Sequence, residues 1–272
     1  MGNVTIGFNV QFDEAIAAAS DRGVVLPEVY YGQLHGVARQ LAFSIAGIVK
    51  LDQLHGVKAS LDKSLASGLS FNEWKKQAAV ADLSLPKHRL DNIFRTNLQG
   101  SYMAGKWEQI DRNKANRPYL MYDAINDTRT RPSHLAMDGT IRPVDDPWWS
   151  DHSPPNGYRC RCSVVTLSES QARDRSGPSE GINKVPRLPD GQPAKPDKGW
   201  NYSPRDRSAG VDAAVENRRQ VPGMSAEMVR ILEDAISASL AQLYAEWVAE
   251  YGDAQARQIW ADNYGIKPIP QS

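Results

Sequence analysis

Only two of the 272 residues are cysteine, Cys160 and Cys162, and a single residue separates them. That spacing suits an ordinary disulfide poorly and fits a reducing compartment better. No run approaches the roughly 18 to 20 consecutive apolar residues that span a bilayer, so no membrane contact is expected. The opening Met1-Gly-Asn-Val-Thr5 lacks the basic flank and apolar run of an export signal, so secretion by that route is not expected either. Net charge is missing as well: Lys+Arg and Asp+Glu both total 32. No mean field draws such a chain to nucleic acid, and any DNA contact must be local. A phosphate-binding glycine loop, a dinucleotide fingerprint, a His-Glu-x-x-His helix and an internal repeat are all absent, which removes the common nucleotide-enzyme and protease readings.

What is present is a hydrophobic fraction of 41 %, enough for one large domain or two modest ones. The first stretch, residues 1–110, reads as helical. A short alanine-rich helix covers Asp13 to Ser20 and stops near Gly23. Leu34, Val37, Leu41, Ile45 and Ile48 follow at three-and-four spacing, predicting an amphipathic helix with Gln33, Arg39 and Gln40 on its other face. Leu54, Leu61 and Leu65 continue the pattern to Gly68, and Ser70-Phe-Asn-Glu73 is a capping box that opens a helix through Trp74. Pro86 starts a longer helix carrying Leu90, Ile93, Phe94, Leu98 and Tyr102. His35, His55 and His88 fall on these helical segments and read as surface or core residues.

Residues 111–172 change character. Tyr119 to Ala124 and Ser163 to Leu167 carry the aromatic and β-branched residues of strands and are expected to share one small sheet. Residues 173–209, dense in proline, glycine and charge, read as an extended arm. Residues 210–272 are expected to be helical again. Their main helix runs from Ser225 to Tyr251, with Met228, Leu232, Ile236, Leu240, Leu243 and Trp247 on one face and Gly252 at its end. At about 1.5 Å per residue it measures roughly 40 Å, so it either projects toward a partner or folds back on its own domain. The fold class expected is α+β: a helical N-terminal bundle, a small sheet closed by the Cys-x-Cys loop, an arm and a C-terminal helix.

The least generic residues lie in the sheet region: Asp127-Thr-Arg-Thr-Arg-Pro-Ser-His134, Met137-Asp-Gly139, Trp148-Trp149 and Pro154-Pro-Asn-Gly-Tyr-Arg-Cys-Arg-Cys162. Two thiolates and an imidazole suit Zn2+, which takes four ligands in structural sites. His134, Cys160 and Cys162 supply three, with His152 or Asp127 as candidates for the fourth. The alternative is that both cysteines are small buried hydrophobes and His134 a hydrogen-bonding core residue beneath Trp148 and Trp149. Either way the loop is pinned to the sheet. Asp127, Arg129 and Arg131 brace it by ion pairs or are simply solvated.

These pieces, in this order, resemble the head morphogenesis domain of phage Mu F-like minor head proteins. The resemblance extends upstream to Phe43-Ser-Ile-Ala-Gly47, Gly68-Leu-Ser-Phe71, Arg95-Thr-Asn97 and Tyr102-x-x-Gly105, and downstream to Asp197-Lys-Gly-Trp-Asn-Tyr202. It covers roughly residues 10 to 205; residues beyond that match nothing recognisable. In relatives with a Cys-x-x-Cys element the second cysteine falls at His134 and the first at Arg131, which cannot ligate a metal.

The resemblance implies a non-catalytic protein of the virion head, present in the host cytoplasm during assembly. Its implied partners are the portal protein, the major capsid protein or a scaffolding protein, with non-specific contact to packaged DNA as an accessory role. Two other classes compete. A metal-dependent hydrolase would need a general base, and a zinc deaminase in particular needs His-x-Glu, whereas Leu135 and Ala136 follow His134. A non-specific DNA-binding accessory protein would use Arg112, Lys114 and Arg117, or Arg205, Arg207, Arg218 and Arg219, as phosphate contacts.

Overall fold

The computed structural model describes residues 12–34, 37–180, 184–205, 225–264 and 269. His35, Arg207, Arg218 and Arg219 lie outside the described residues. The fold is α+β, as expected. Helix α1 (Asp13–Ser20) leads to strand β1 (Gly23–Val24), α2 (Pro27–Gly32), α3 (Val37–Leu41), β2 (Ala42–Phe43), α4 (Leu51–Ser67), α5 (Phe71–Trp74) and α6 (Ala78–Ala81). The long α7 (Lys87–Asn113) then delivers the chain to β3 (Tyr119–Asp123), α8 (Pro132–Met137), β4 (Ile141–Pro143), α9 (Trp148–His152), β5 (Ser163–Leu167) and α10 (Glu169–Glu180). Helices α11 (Ala226–Tyr251) and α12 (Asp253–Tyr264) end it.

Local signals set most of these boundaries. Gly68 closes α4 with a positive φ of 65°, a conformation glycine adopts without steric cost. Ser70 and Glu73 form the reciprocal capping box that opens α5. Ser225 caps α11 by accepting from the Met228 amide, and Gly252 receives its last turn.

One amphipathic stripe misleads. Leu34 through Ile48 was expected to form a single helix, but α3 stops at Leu41 and Ala42–Phe43 becomes a strand paired in parallel with Gly23–Val24. Leu34, Leu41, Ile45 and Ile48 are nonetheless all buried. Hydrophobic spacing reports which side chains go inward; here the strand pairing, a non-local contact, decided the backbone.

The core has two main parts, joined by α7. In the first, Leu51, Leu54, Val57 and Leu61 of α4 pack with Trp74, Leu90 and Phe94. In the second, Met103, Trp107 and Ile110 from the far half of α7 pack against Leu120, Tyr122, Val164, Trp149, Cys160 and Cys162. The expected boundary near residue 110 therefore falls inside one continuous helix. The second core is built on a three-stranded antiparallel sheet in the order β4-β3-β5. β3 and β5 pair as expected, from Tyr119↔Leu167 to Asp123↔Ser163; β4 and the short helices α8 and α9 were not read from sequence.

Helix α11 folds back rather than projecting. Leu243 joins the first core, and Met228 and Leu232 join Val25, Leu34 and Leu41. Gly23 makes the crossing close: a Cβ there would stand 2.2 Å from Ile236 Cδ1. The extended-arm reading of residues 173–209 also needs correction. Its first part, residues 173–180, is the C-terminal two thirds of α10. Further on Ala194 is buried in the second core, and Arg205 is ion-paired to Asp111 and Asp145. Proline and charge excluded a long helix at 184–205 without preventing the segment from lying against the body.

Candidate metal centre

Helix α8 starts at Pro132, whose fixed φ suits a first helical position, and sets His134 pointing inward with 1 % of its surface exposed. The Asp138-Gly139 turn then leads into β4. Gly139 takes a positive φ of 71°, and the Asp138 carboxylate accepts from the Ala124 amide at 2.8 Å. Opposite His134, the loop 153–162 runs into β5 and brings both cysteines to the same side, each buried. The turn there uses Arg159 with a positive φ of 58°, uncommon for a non-glycine residue. Its side chain is held by an ion pair to Asp91 at 2.6 Å, and its amide donates to Thr96 Oγ1 at 3.1 Å. Gln99 donates to the Cys162 carbonyl at 2.8 Å, and Lys106 to Ser163 Oγ at 2.7 Å.

The structure brings together His134, Cys160 and Cys162, whose potential ligand atoms all lie within 4.8 Å of one another. His134 Nδ1 is 3.7 Å from Cys160 Sγ and 3.8 Å from Cys162 Sγ. With Zn–S near 2.3 Å and Zn–N near 2.1 Å, tetrahedral ligand atoms stand roughly 3.6 to 3.8 Å apart. The donor set and the spacing both fit that ion. On the far side of the ring, Asp197 Oδ1 stands 3.7 Å from His134 Nε2, the position from which a carboxylate orients a ligating histidine. Arg131 holds that carboxylate at 3.0 Å and also donates to the Tyr158 carbonyl at 2.8 Å. Gly157 leaves room for it, since a Cβ there would fall 2.2 Å from Asp197 Oδ2.

The sulfurs are electrostatically unequal. The Cys160 thiol beside it, together with His134 and the Tyr122 hydroxyl, draws the Cys162 thiol below its ordinary range; the same pairing, with burial, pushes Cys160 up. Thiolate is the form that binds metal. Burial also raises Tyr122 well above the usual phenol value, so its hydroxyl stays protonated and donates to Asn156 Oδ1 at 2.8 Å. Asn156 is fully buried and in turn donates to the Ser153 carbonyl at 3.2 Å.

The two residues considered for a fourth ligand are engaged elsewhere. Asp127 takes both arms of the Arg161 guanidinium, at 2.6 and 2.8 Å, which holds its carboxyl well below the usual range. His152 stacks on Trp148 with ring centroids 4.3 Å apart and keeps Nδ1 3.1 Å from the Trp148 carbonyl. Of the two alternatives left open for Asp127, Arg129 and Arg131, ion pairing or solvation, the structure shows ion pairs, Asp127 with Arg129 and Arg161, and Arg131 with Asp197.

Sequence reasoning missed the role of α7. Thr96, Gln99, Met103 and Lys106 recur at three-and-four spacing, a largely polar stripe on a helix whose other faces pack in the cores. All four touch the 159–163 segment. A polar stripe at helical period was the available signal.

Residues 55–165 match the family described as Phage Mu protein F like protein. The Mu-like prophage FluMu F protein of Haemophilus influenzae is 30 % identical over 261 residues, covering 80 % of this chain and 63 % of that protein. The putative capsid assembly protein F of Escherichia phage Mu is 27 % identical over 247 residues, covering 74 % of this chain and 56 % of that protein. The chain thus spans about three fifths of the length of these curated relatives. No solved structure matches it.

Proposed function

We propose that this chain, Phage Mu F-like over residues 55–165, serves in the assembly of a phage head as a binding protein and not as a catalyst. The observation that carries this reading is likeness along most of the chain to a protein named as a capsid assembly protein. The portal protein, the major capsid protein and a scaffolding protein are its candidate partners, and the virion head its destination after assembly in the host cytoplasm. The absence, among the described residues, of any helix long and apolar enough to cross a membrane is consistent with this.

Within that role His134, Cys160 and Cys162 hold one Zn2+ that staples the 153–162 loop to α8, with a fourth donor from water or another side chain. The 3.7 and 3.8 Å spacings support it. Three protein ligands with one open position is also the arrangement of catalytic zinc sites, which keeps a hydrolase as the second reading. Against it, Asp197, the carboxylate beside the cluster, is ion-paired to Arg131 and faces the ring nitrogen remote from the sulfurs.

The test of the assembly role is a nonsense mutation in the gene within its phage or prophage, followed by electron microscopy of induced lysates. Loss or malformation of heads, restored by the wild-type chain supplied in trans, is the expected result; normal, infectious heads would overturn it. Metal content by mass spectrometry tests the staple, with about one equivalent of zinc expected and none in the Cys160→Ser/Cys162→Ser double variant.

A further inference from the structure

A cavity of about 350 Å³ lies where α2, β2 and α7 meet Tyr158 and the segment around Trp200. Arg22, Arg39, Arg89 and Lys198 line it, and among the described residues no carboxylate does. Several cations elsewhere sit on acids, Arg112 on Glu14, Lys114 on Asp145, Arg205 on Asp111 and Asp145, and Arg161 on Asp127, while Arg117 donates to Thr166 and Gln171. The basic cluster at Arg112 and Lys114 is therefore largely neutralised.

In the cavity the guanidinium groups are fixed by neutral acceptors. Arg22 donates to Asn97 Oδ1 at 2.5 Å, Arg89 to the Ala46 carbonyl at 2.5 Å, and Arg39 to the Leu34 and Tyr30 carbonyls at 2.6 and 3.1 Å. These bonds orient the positive heads; Arg22 also feels the Asp62 carboxylate, whereas Arg39 and Arg89 donate to neutral carbonyls. Ser44 adds a buried hydroxyl with no hydrogen-bond partner.

The remaining wall is aromatic. Tyr158 meets Trp200 edge to face at 5.0 Å, and Trp200 stacks on Tyr202 at 5.8 Å. Tyr30 and Tyr31 are also among its lining residues. Fixed cations beside aromatic faces are what a ligand with negative charge next to a flat ring requires, and stacking on such faces tolerates any base. A duplex is too wide to enter a space of this size.

We infer that this cavity is a binding site for one nucleotide unit, its phosphate on Arg39, Arg89 and Lys198 and its base against Trp200 and Tyr158. The unit comes from a single DNA strand or from a free nucleotide. This goes beyond the assembly role and stands on a separate observation.

Fluorescence anisotropy of a labelled five-residue oligothymidylate against the full chain tests it, with unlabelled strand, duplex of the same length, and thymidine monophosphate as competitors. The strand is expected to compete at least tenfold better than the duplex. The Arg89→Gln/Lys198→Gln variant should lose at least tenfold in affinity and flatten the salt dependence. Trp200→Ala should lose affinity with little change in salt slope. Arg112→Gln/Lys114→Gln, at the neutralised cluster, should bind as wild type, and circular dichroism confirms that each variant is folded. Competition by the monophosphate as strong as by the strand assigns the source as free nucleotide and supports the site. Equal competition by duplex, equal loss in the Arg112/Lys114 variant, or binding of neither strand nor monophosphate would overturn it.

Discussion

Trp74 and Trp149 are both buried indoles, yet their surroundings differ in kind. Trp74 packs on Phe71 and Phe94 within a cluster of leucines, valines and isoleucines, with Ser60 Oγ at 2.9 Å accepting from its Nε1. Trp149 lies in the small core that also contains Tyr122, Cys160 and Cys162, with His134, Ser153 and Asn156 buried nearby in the same part of the chain. The helical body is large enough to be held by hydrocarbon burial, at about 25 cal/mol for each Å² removed from water. The sheet core rests on three short strands and irregular loop, and around its apolar side chains it buries polar ones, His134, Ser153 and Asn156. Hydrogen bonds such as those of Tyr122 and Asn156 add to its burial, and these are directional and intolerant of partial loss.

The sharpest break of this contrast is removal of the cluster. In Cys160→Ser/Cys162→Ser, or after stripping with a strong chelator, we expect the melting temperature to fall by about 10 °C or more. Hydrogen exchange should show lost protection in residues 119–167 with protection in α4 retained; equal loss in both regions would mean that the two cores open as one unit. Trp74→Ala should act in the opposite place, costing about 3 to 5 kcal/mol in denaturant unfolding and exposing α4 and α5 before the sheet.

Acid offers a third separation, through His55 on α4. Burial, with Lys58 adding, lowers its folded value to about 4 against an ordinary 6.5. The folded state therefore prefers the neutral ring, and the unfolded chain takes up the proton first as pH falls. This contribution is fully present above about pH 6.5, declines down to about pH 4, and is flat below; it totals roughly 3 kcal/mol. A His55→Gln variant should show a shallower loss of denaturant stability across that window, and an unchanged slope would remove His55 as the cause. Smallest is Gly105→Ala. A Cβ at this position would sit 2.4 Å from the Ala15 backbone nitrogen, so α1 must move off α7. We expect a cost of about 1 to 3 kcal/mol by chemical denaturation, with protection lost first in residues 13–20.

Much of the candidate site was legible. His134, Cys160 and Cys162 stand out because soft ligands are scarce in a chain with two cysteines, and Gly105 and Gly157 were already marked by the family resemblance. The partners of that cluster were not legible. Asp197 lies more than sixty residues from His134 in the chain, and Arg131 reads equally well as a solvated cation. The cationic cavity was illegible for the same reason, its arginines and its tryptophan coming from segments that meet only in space, while Arg112 and Lys114, adjacent in sequence, proved to be paired with acids.

The sequence by itself determined the long helices, the caps at Gly68, Ser70 and Gly252, the two principal strands and the three residues, His134, Cys160 and Cys162, that cluster as candidate metal donors. These follow from local periodicity, backbone freedom and side-chain chemistry, properties a residue carries wherever it is placed. Tertiary structure alone decided that Ala42–Phe43 pairs as a strand, that α11 closes onto Gly23, and that four cations share a cavity with no acid among its described lining residues. Each of these is a contact between distant segments, and its free energy belongs to the pair of surfaces and to neither stretch of sequence alone.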